Sequence, residues 1–254
     1  MTDLVALLMP PDLGGMAVAA MVGVSFIASL VTVAFGIGGG GLLLAVLAVL
    51  MPPAALIPVH GVVQVGSNLG RAVVFVRHTA WSAMPWFVVG SIVGVTAGGS
   101  VVINLPPWAV QVGVGGFIVW TVLACPPRWL SHWPLLTGVI SSFLTMFFGA
   151  TGLFVASYSK SLKLARHAFV ATHATLMCTQ HLLKTLVFGL LGFAFAPWAG
   201  LIAAMIAAGL LGTLTGRLVL NRMTDARFNR ALDLVLLLIS ARLIWSGLAE
   251  RFWP

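Results

Sequence analysis

Hydrophobic residues dominate the chain in long runs, which short polar stretches interrupt. Eight runs of about 20 residues can cross the hydrocarbon core of a membrane as helices, and they cover residues 14–35, 56–76, 81–102, 109–124, 132–148, 168–189, 198–220 and 231–249. The runs are continuous and contain Gly and Pro, unlike the alternating strands of an outer-membrane barrel. The pattern therefore predicts an all-α integral membrane protein that crosses the membrane several times.

Composition supports the same class of protein. Hydrophobic residues make up 60% of the chain and charged residues 7%, and the mean hydropathy is +1.10, outside the usual balance of soluble proteins. The net charge of +8 would suggest nucleic acid in a soluble domain, but here we expect membrane lipid as a partner and no nucleic acid. Cys125 and Cys178 lack the spacing of a disulfide framework or a zinc site, so we expect no metal or cofactor.

Basic residues indicate how the chain is oriented. The first is Arg71, so no cationic leader precedes the first apolar run and we expect no cleaved signal peptide. If the loops after the second, fourth, fifth and seventh runs are cytoplasmic, that side holds nine basic residues and the opposite side only Arg251. The positive-inside rule then places both termini outside. The nine residues are Arg77, Arg128, Lys160, Lys163, Arg166, Arg217, Arg222, Arg227 and Arg230.

The chain also carries a weak internal repeat. Between residues 35 and 75, a shift of 113 residues leaves only 8 of 41 positions identical, so the argument rests on the register of the polar residues. A shift of 118 residues then matches two glycines of a later run. We expect two related halves, residues 1–127 and 128–254. The matched positions are His60 and His173, Asn68 and His181, Arg71 and Lys184, Gly94 and Gly212, and Gly98 and Gly216.

The loops of the two halves differ in charge. Residues 51–56 are neutral where residues 159–167 are basic, and residues 103–107 are neutral where residues 221–230 are basic. The halves are therefore predicted to be inverted, which requires an odd number of crossings in each. We expect each half to be a broken or re-entrant helical hairpin followed by three transmembrane helices. The hairpins are residues 14–51 and 132–159.

The predicted hairpin tips are rich in glycine, with FGIGGGG at residues 35–41 and FGATG at residues 148–152. Irregular backbone inside a membrane is tolerated only where protein or a wet cavity surrounds it, and helix N-termini there present free N–H groups. The tips are candidate anion cradles, formed by Gly38, Gly39, Gly40, Thr151 and Gly152. The alternative is that these glycines serve close helix packing, the role we expect for Gly90, Gly94 and Gly98.

Each half also has a polar stripe on one helix. In the first half the spacing is i, i+4, i+8, i+11, which is a single helical face. Cations near the middle of a bilayer are costly and should face the protein interior, yet none of the five acids of the chain lies in either striped helix. The sequence therefore predicts that a ligand supplies the negative charge, while snorkelling of both cations to the interface is the alternative. The stripe residues are His60, Gln64, Asn68, Arg71, His173, Gln180, His181 and Lys184.

A family resemblance is carried by two glycine motifs and by the helices that follow them. The motifs are FGIGGGGLLL and the degenerate FGATG, and the helices contain N-x-x-R and H-x-x-K. It resembles the sulfite exporter TauE/SafE family over its full length, although GATG has fewer glycines than the usual motif. The resemblance implies a multi-pass transporter of the bacterial inner membrane, not an enzyme. Its substrate would be a small sulfur-containing or organic anion, such as sulfite, thiosulfate or a sulfonate, moved outward by alternating access, and a homodimer is left open.

Other function classes fit the residues less well. A membrane redox protein could use the three stripe histidines as haem ligands, but that role leaves Arg71 and Lys184 without a purpose. An intramembrane hydrolase lacks an acid that would orient a triad, and a cation transporter lacks oxygen ligands in the stripes. An uncoupled anion channel remains an alternative to a transporter.

Single cysteines test the predicted orientation. We expect cysteines in residues 51–56 and 192–197 to react with an impermeant maleimide from the periplasmic side, because those loops are neutral. Cysteines in the basic segments 159–167 and 221–230 should react only after the membrane is permeabilised. Labelling of corresponding loops from the same side would contradict the inverted arrangement.

Overall fold

The computed structural model describes residues 10, 13–35, 38–102, 105–124, 126–219 and 226–253. Gly36 and Ile37 of the first predicted tip, Cys125, and parts of the loops at 103–107 and 221–230 lie outside the described residues. The described residues form ten α-helices: α1 (Gly15–Phe35), α2 (Gly39–Leu50), α3 (Pro53–Val74), α4 (Met84–Val102), α5 (Pro107–Leu123), α6 (Pro134–Phe148), α7 (Gly152–Ser161), α8 (Arg166–Leu190), α9 (Ala199–Val219) and α10 (Ala226–Phe252).

The helices confirm the all-α prediction, and no strand occurs within the described ranges. Each of the eight apolar runs corresponds to one long helix, and two short helices, α2 and α7, follow the predicted tips. Three segments are long and apolar enough to cross a membrane by themselves: Gly15–Ala34, Trp81–Val102 and Ala196–Leu218. The striped helices α3 and α8 are long enough as well, but their polar residues lower their hydropathy.

Proline and glycine set several helix ends. The helices α3, α5 and α6 begin at a proline, whose missing N–H costs nothing in a first turn. Gly38, before α2, has a φ of 105°, and Gly149, after α6, has a φ of 73°. Both values lie in the region that favours glycine, so each tip contains a turn that another residue would strain.

The centre of the protein is the pair formed by α3 and α8. The Sγ atom of Cys178 approaches the carbonyl oxygen of Val65 at 3.9 Å, and the ring centroids of His60 and His181 are 5.8 Å apart. Residue numbers rise along α3 as they fall along α8, so the two helices are antiparallel. Val65 and Cys178 are related by the 113-residue shift, so residues that this shift matches lie in contact where α3 and α8 cross.

The remaining helices pack around this pair in matched combinations. Helix α1 packs against α2 and α9, α6 packs against α7 and α4, and α5 packs against α10. Each hairpin therefore contacts its own short helix and a long helix of the other half. Helix α2 lies deep in the bundle, with Leu43, Leu44, Ala45 and Leu47 almost completely buried.

Glycines make the contacts between α4 and α6 and between α9 and α1 close. A Cβ atom on Gly94 would clash with the carbonyl oxygen of Val139, and one on Gly212 would clash with that of Phe26. Phe26 and Val139 are themselves related by the 113-residue shift. The predicted packing role of Gly94 is confirmed, and the matched glycine Gly212 makes the corresponding contact.

Alanine substitutions test these contacts. Gly94→Ala and Gly212→Ala should each destabilise the protein by about 1–3 kcal/mol, because the added methyl group meets backbone that cannot move aside. Gly116→Ala is the matched control, since nothing lies within 4 Å of a Cβ atom there. The midpoint of thermal unfolding in detergent measures the effect. Equal midpoints for Gly94→Ala and Gly116→Ala would contradict the close packing.

Candidate functional site

The polar stripes lie inside the protein. His60, Gln64, Asn68 and Arg71 on α3 are each at most 5% exposed. On α8, His173 is 6% exposed, His181 is 1% exposed, and Gln180 and Lys184 are completely buried. The interior location predicted for both cations is confirmed. Snorkelling would require exposed head groups, so it does not describe Arg71 or Lys184.

Hydrogen bonds join the first hairpin tip to the α3 stripe. The Nε2 atom of His60 lies 3.2 Å from the carbonyl oxygen of Gly40 and 3.2 Å from Nε2 of Gln64. One ring nitrogen either donates to the carbonyl or accepts from the amide, so it serves one of these partners at a time. Further along, Asn68 donates from Nδ2 to the backbone oxygen of Gln64 at 2.7 Å. The stripe is thus a continuous polar chain that starts at the tip.

Arg71 ends this chain with two well-placed acceptors. Its Nη2 donates to Oδ1 of Asn68 at 2.8 Å, and its Nη1 donates to Oγ of Ser67 at 3.0 Å. Ser67 in turn is 2.7 Å from Oγ of Ser29 on α1. Two neutral residues therefore fix the guanidinium and link it to the hairpin.

Ser29 and Ser67 were not among the predicted site residues. A hydroxyl in an apolar helix is common and by itself indicates no site. The available signal was positional, because Ser67 precedes Arg71 by one helical turn and is matched by the 113-residue shift to Gln180, which was predicted.

A small polar cavity lies between the first hairpin and α3. It has room for roughly one water molecule. The cavity adjoins the first turn of α2, whose N–H groups have no acceptor within the helix. The first predicted anion cradle thus opens onto a polar space. The lining residues are Ala28, Ser29, Thr32, Gly39, Gly40, Leu43, Gln64 and Ser67.

The second hairpin is arranged differently. The Nε2 atom of Gln180 donates to the backbone oxygen of Ser141 and to Oγ1 of Thr151, both at 2.8 Å. Thr151 is the residue before α7 and is completely buried. Gly152 lies next to Met177, while His173 stacks on Phe169 with ring centroids 5.9 Å apart. The structure therefore brings Thr151 and Gln180, two of the candidate site residues, into contact.

Arg71 and Lys184 do not meet. A Cβ atom on Gly61 would lie 2.8 Å from Cε of Lys184, whereas the guanidinium of Arg71 binds Ser67. Six residues separate Gly61 from Ser67, which corresponds to about 9 Å along the helix. In this arrangement the two side chains contact α3 at different levels. The cations thus mark two successive positions along the α3–α8 interface.

Charge around these cations is not balanced by acids. Among the described residues the acids are Asp233 and Glu250, both exposed on α10. Within the same residues, Nζ of Lys184 and both ring nitrogens of His181 have no hydrogen-bond partner. Burying an ammonium without a partner costs several kcal/mol, so an anion between α3 and α8 would be strongly stabilised.

Comparison with known proteins agrees with this geometry. The family model described as sulfite exporter TauE/SafE matches residues 21–243. The chain belongs to the sulfite exporter TauE/SafE family. No curated protein and no solved structure matches it. Membership confirms the resemblance carried by the glycine and stripe motifs, and with the long apolar helices it makes the chain a multi-pass membrane protein of a transporter family.

The unpartnered ammonium of Lys184 gives a stability test. Lys184→Met should make the ligand-free protein more stable by at least about 1 kcal/mol, because methionine removes a desolvated charge that has no bond to lose. Arg71→Met should not stabilise, since it breaks bonds to Ser67 and Asn68.

The exposed Lys163→Met is the control and should stay within about 0.5 kcal/mol of wild type. Thermal unfolding of the three variants in detergent without added anion measures the effect. A less stable Lys184→Met protein would show that the ammonium has a stabilising partner.

Proposed function

We propose that the protein is a secondary transporter of the bacterial inner membrane that exports a small sulfur-containing or organic anion, such as sulfite, thiosulfate or a sulfonate. The observation that carries the proposal is the buried ammonium of Lys184, which has no hydrogen-bond partner among the described residues. A soluble anion can supply the missing charge and then leave. A structural carboxylate would hold the cation permanently and would leave no role for a ligand.

The proposed mechanism is alternating access between two inverted repeats, residues 1–127 and 128–254. The proposal is supported by contacts between the two halves, because the first hairpin packs on α9 of the second half and the second hairpin packs on α4 of the first half. Val139 and Phe26, which are equivalent by the repeat, contact the equivalent glycines Gly94 and Gly212. A rocking motion of one half would shift both contacts at the same time. The two hairpin tips would then open one after the other.

The positions of the two cations indicate how the proposed transport path through the protein is oriented in the membrane. The end of α3 and the start of α8 adjoin, with the ring centroids of His78 and His167 5.5 Å apart. Both segments are basic, which favours the cytoplasmic side. Arg71 lies toward this end, whereas Lys184 lies beside Gly61 toward the other end. We therefore assign Arg71 to the cytoplasmic half of the path and Lys184 to the periplasmic half.

The first binding position in this proposal is the cavity beside Gly38–Gly40. Amide groups of the α2 N-terminus, Gln64 and Asn68 would bind the oxygens of the anion, while Arg71 supplies charge. His60 lies between this position and His181. The cavity fits about one water molecule, so a sulfur oxyanion requires the hairpin to move away from α3.

A haem protein receives no support from the same residues. The rings of His60 and His181 contact each other edge to face, and His173 stacks on Phe169. Ligands of one haem would instead flank a flat slot as wide as the porphyrin. The anion transporter accounts for the cations as well as the histidines.

Substitution of the cations tests the function. Arg71→Gln should weaken the binding of sulfite about 10-fold to 100-fold, since hydrogen bonds to charged groups contribute about 1.5–3 kcal/mol each. Lys184→Gln should lower the flux of sulfite, because the anion meets this ammonium later on its way across the protein. Arg71→Lys should also weaken binding, because lysine lacks the planar fork that grips two oxygens.

The matched control is Arg242→Gln, which alters an exposed arginine on α10. Isothermal titration of purified protein and sulfite flux in proteoliposomes provide the measurements. Wild-type affinity in Arg71→Gln together with wild-type flux in Lys184→Gln would rule out the proposed path. Flux that saturates with substrate and shows exchange across the membrane would distinguish a transporter from a channel.

A further inference from the structure

The polar cavity at the first hairpin has an equivalent region at the second. The 113-residue shift converts Ser29 and Thr32 of α1 into Ser142 and Thr145 of α6, and these side chains are buried or partly buried. On the striped helices, Ser67 becomes Gln180 and Gln64 becomes Met177. The two regions therefore share a serine, a threonine and a glycine, Gly39 or Gly152, but they differ at the other lining positions, among them Ser67 and Gln180.

The exchange of Ser67 for Gln180 changes what fills the region next to the hairpin. Ser67 contacts Ser29 and leaves a cavity beside the first turn of α2. The Gln180 side chain has three more heavy atoms than serine, and its amide reaches the second hairpin, where it donates to the backbone oxygen of Ser141 and to the hydroxyl of Thr151. The amide thus occupies, at the first turn of α7, the place that is open at the first turn of α2.

Several buried polar groups around Gln180 lack a partner. The Oγ atoms of Ser141 and Ser142 and the Oε1 atom of Gln180 have no hydrogen bond within the described residues, and all three side chains are completely buried. Nζ of Lys184, one helical turn further along α8, also has no hydrogen-bond partner among these residues. Buried polar groups are normally paired. A region with four unpaired groups is built for a polar ligand rather than for packing.

We propose that Gln180 is an intramolecular plug of a second oxyanion site, formed by Ser141, Ser142, Thr151, the first turn of α7 and Lys184. This inference rests on the proposed transport of a small oxyanion, whose first position is the open cavity. Gln180 exceeds serine by three heavy atoms, and sulfite contains four. Removing the plug therefore frees most of the space that one such anion needs, next to hydroxyl donors and an ammonium.

The plug has a consequence for the number of anions that bind. With Gln180 in place, one oxyanion occupies each chain, at the first hairpin. Gln180→Ser gives the second half the serine that the first half has at Ser67, and it should open a second binding site for the oxyanion. Isothermal titration of the purified full-length chain with sulfite should then give two sites for Gln180→Ser and one for wild type. Gln111→Ser, the same change on α5, is the matched control and should give one.

The reciprocal change tests the same idea from the first half. Ser67→Gln should close the first cavity and remove binding of sulfite. The double variant Ser67→Gln/Gln180→Ser should bind one sulfite again, now at the second hairpin. Recovery of binding in the double variant is not expected if Gln180 serves only as a packing residue. A single site in a folded Gln180→Ser protein would overturn the proposal.

Cysteine accessibility gives a measurement that does not depend on the substrate. In a background with Cys125→Ala and Cys178→Ala, Ser142→Cys should react at least 10-fold faster with an anionic methanethiosulfonate when Gln180→Ser is also present. Ser29→Cys is the reference for an open region. Unchanged labelling with normal sulfite binding would overturn the plug and leave the proposed function intact. Faster labelling without any sulfite binding would support the plug and count against sulfite as substrate.

Discussion

The pairing of α3 with α8 is the constraint on which the rest of the structure depends. Each helix carries a stripe of polar residues and a cation along one face, and neither helix can turn that face toward lipid without a large cost. Facing each other, the stripes bury His60, Arg71, His181 and Lys184 almost completely. The other helices must then enclose this pair and present apolar residues outward. The exposed leucines, valines and tryptophans on the outer helices fit that arrangement.

Much of this fold could be predicted because its main signals are local. Hydropathy summed over a helix length located all eight long helices, and glycine runs marked both hairpin tips. The pairing of α4 with α6 could not be predicted, since a glycine such as Gly94 indicates that some backbone approaches closely but not which one. Only the three-dimensional contact with Val139 identifies the partner.

The stripe residues were predictable for the same local reason, whereas their relative positions were not. Periodicity places Arg71 on the same face as His60 but does not tell where α8 crosses α3. The crossing at Val65 and Cys178 separates Arg71 from Lys184. The role of Ser67 also depends on a neighbour, because its contact with Ser29 exists only after α1 packs beside α3.

The two cations differ in environment more than in charge. Arg71 is held by Asn68 and Ser67, so its guanidinium is pre-organised and part of its desolvation is offset. Within the part of the chain that the structure describes, Lys184 has no such bonds, so an anion that reaches it is stabilised more strongly. In the proposed direction of transport, an anion would therefore move from a fixed, partly satisfied cation toward an unsatisfied one. Release at the far end then requires water to reach Lys184 and replace the anion, which ties exit to the opening of the second half.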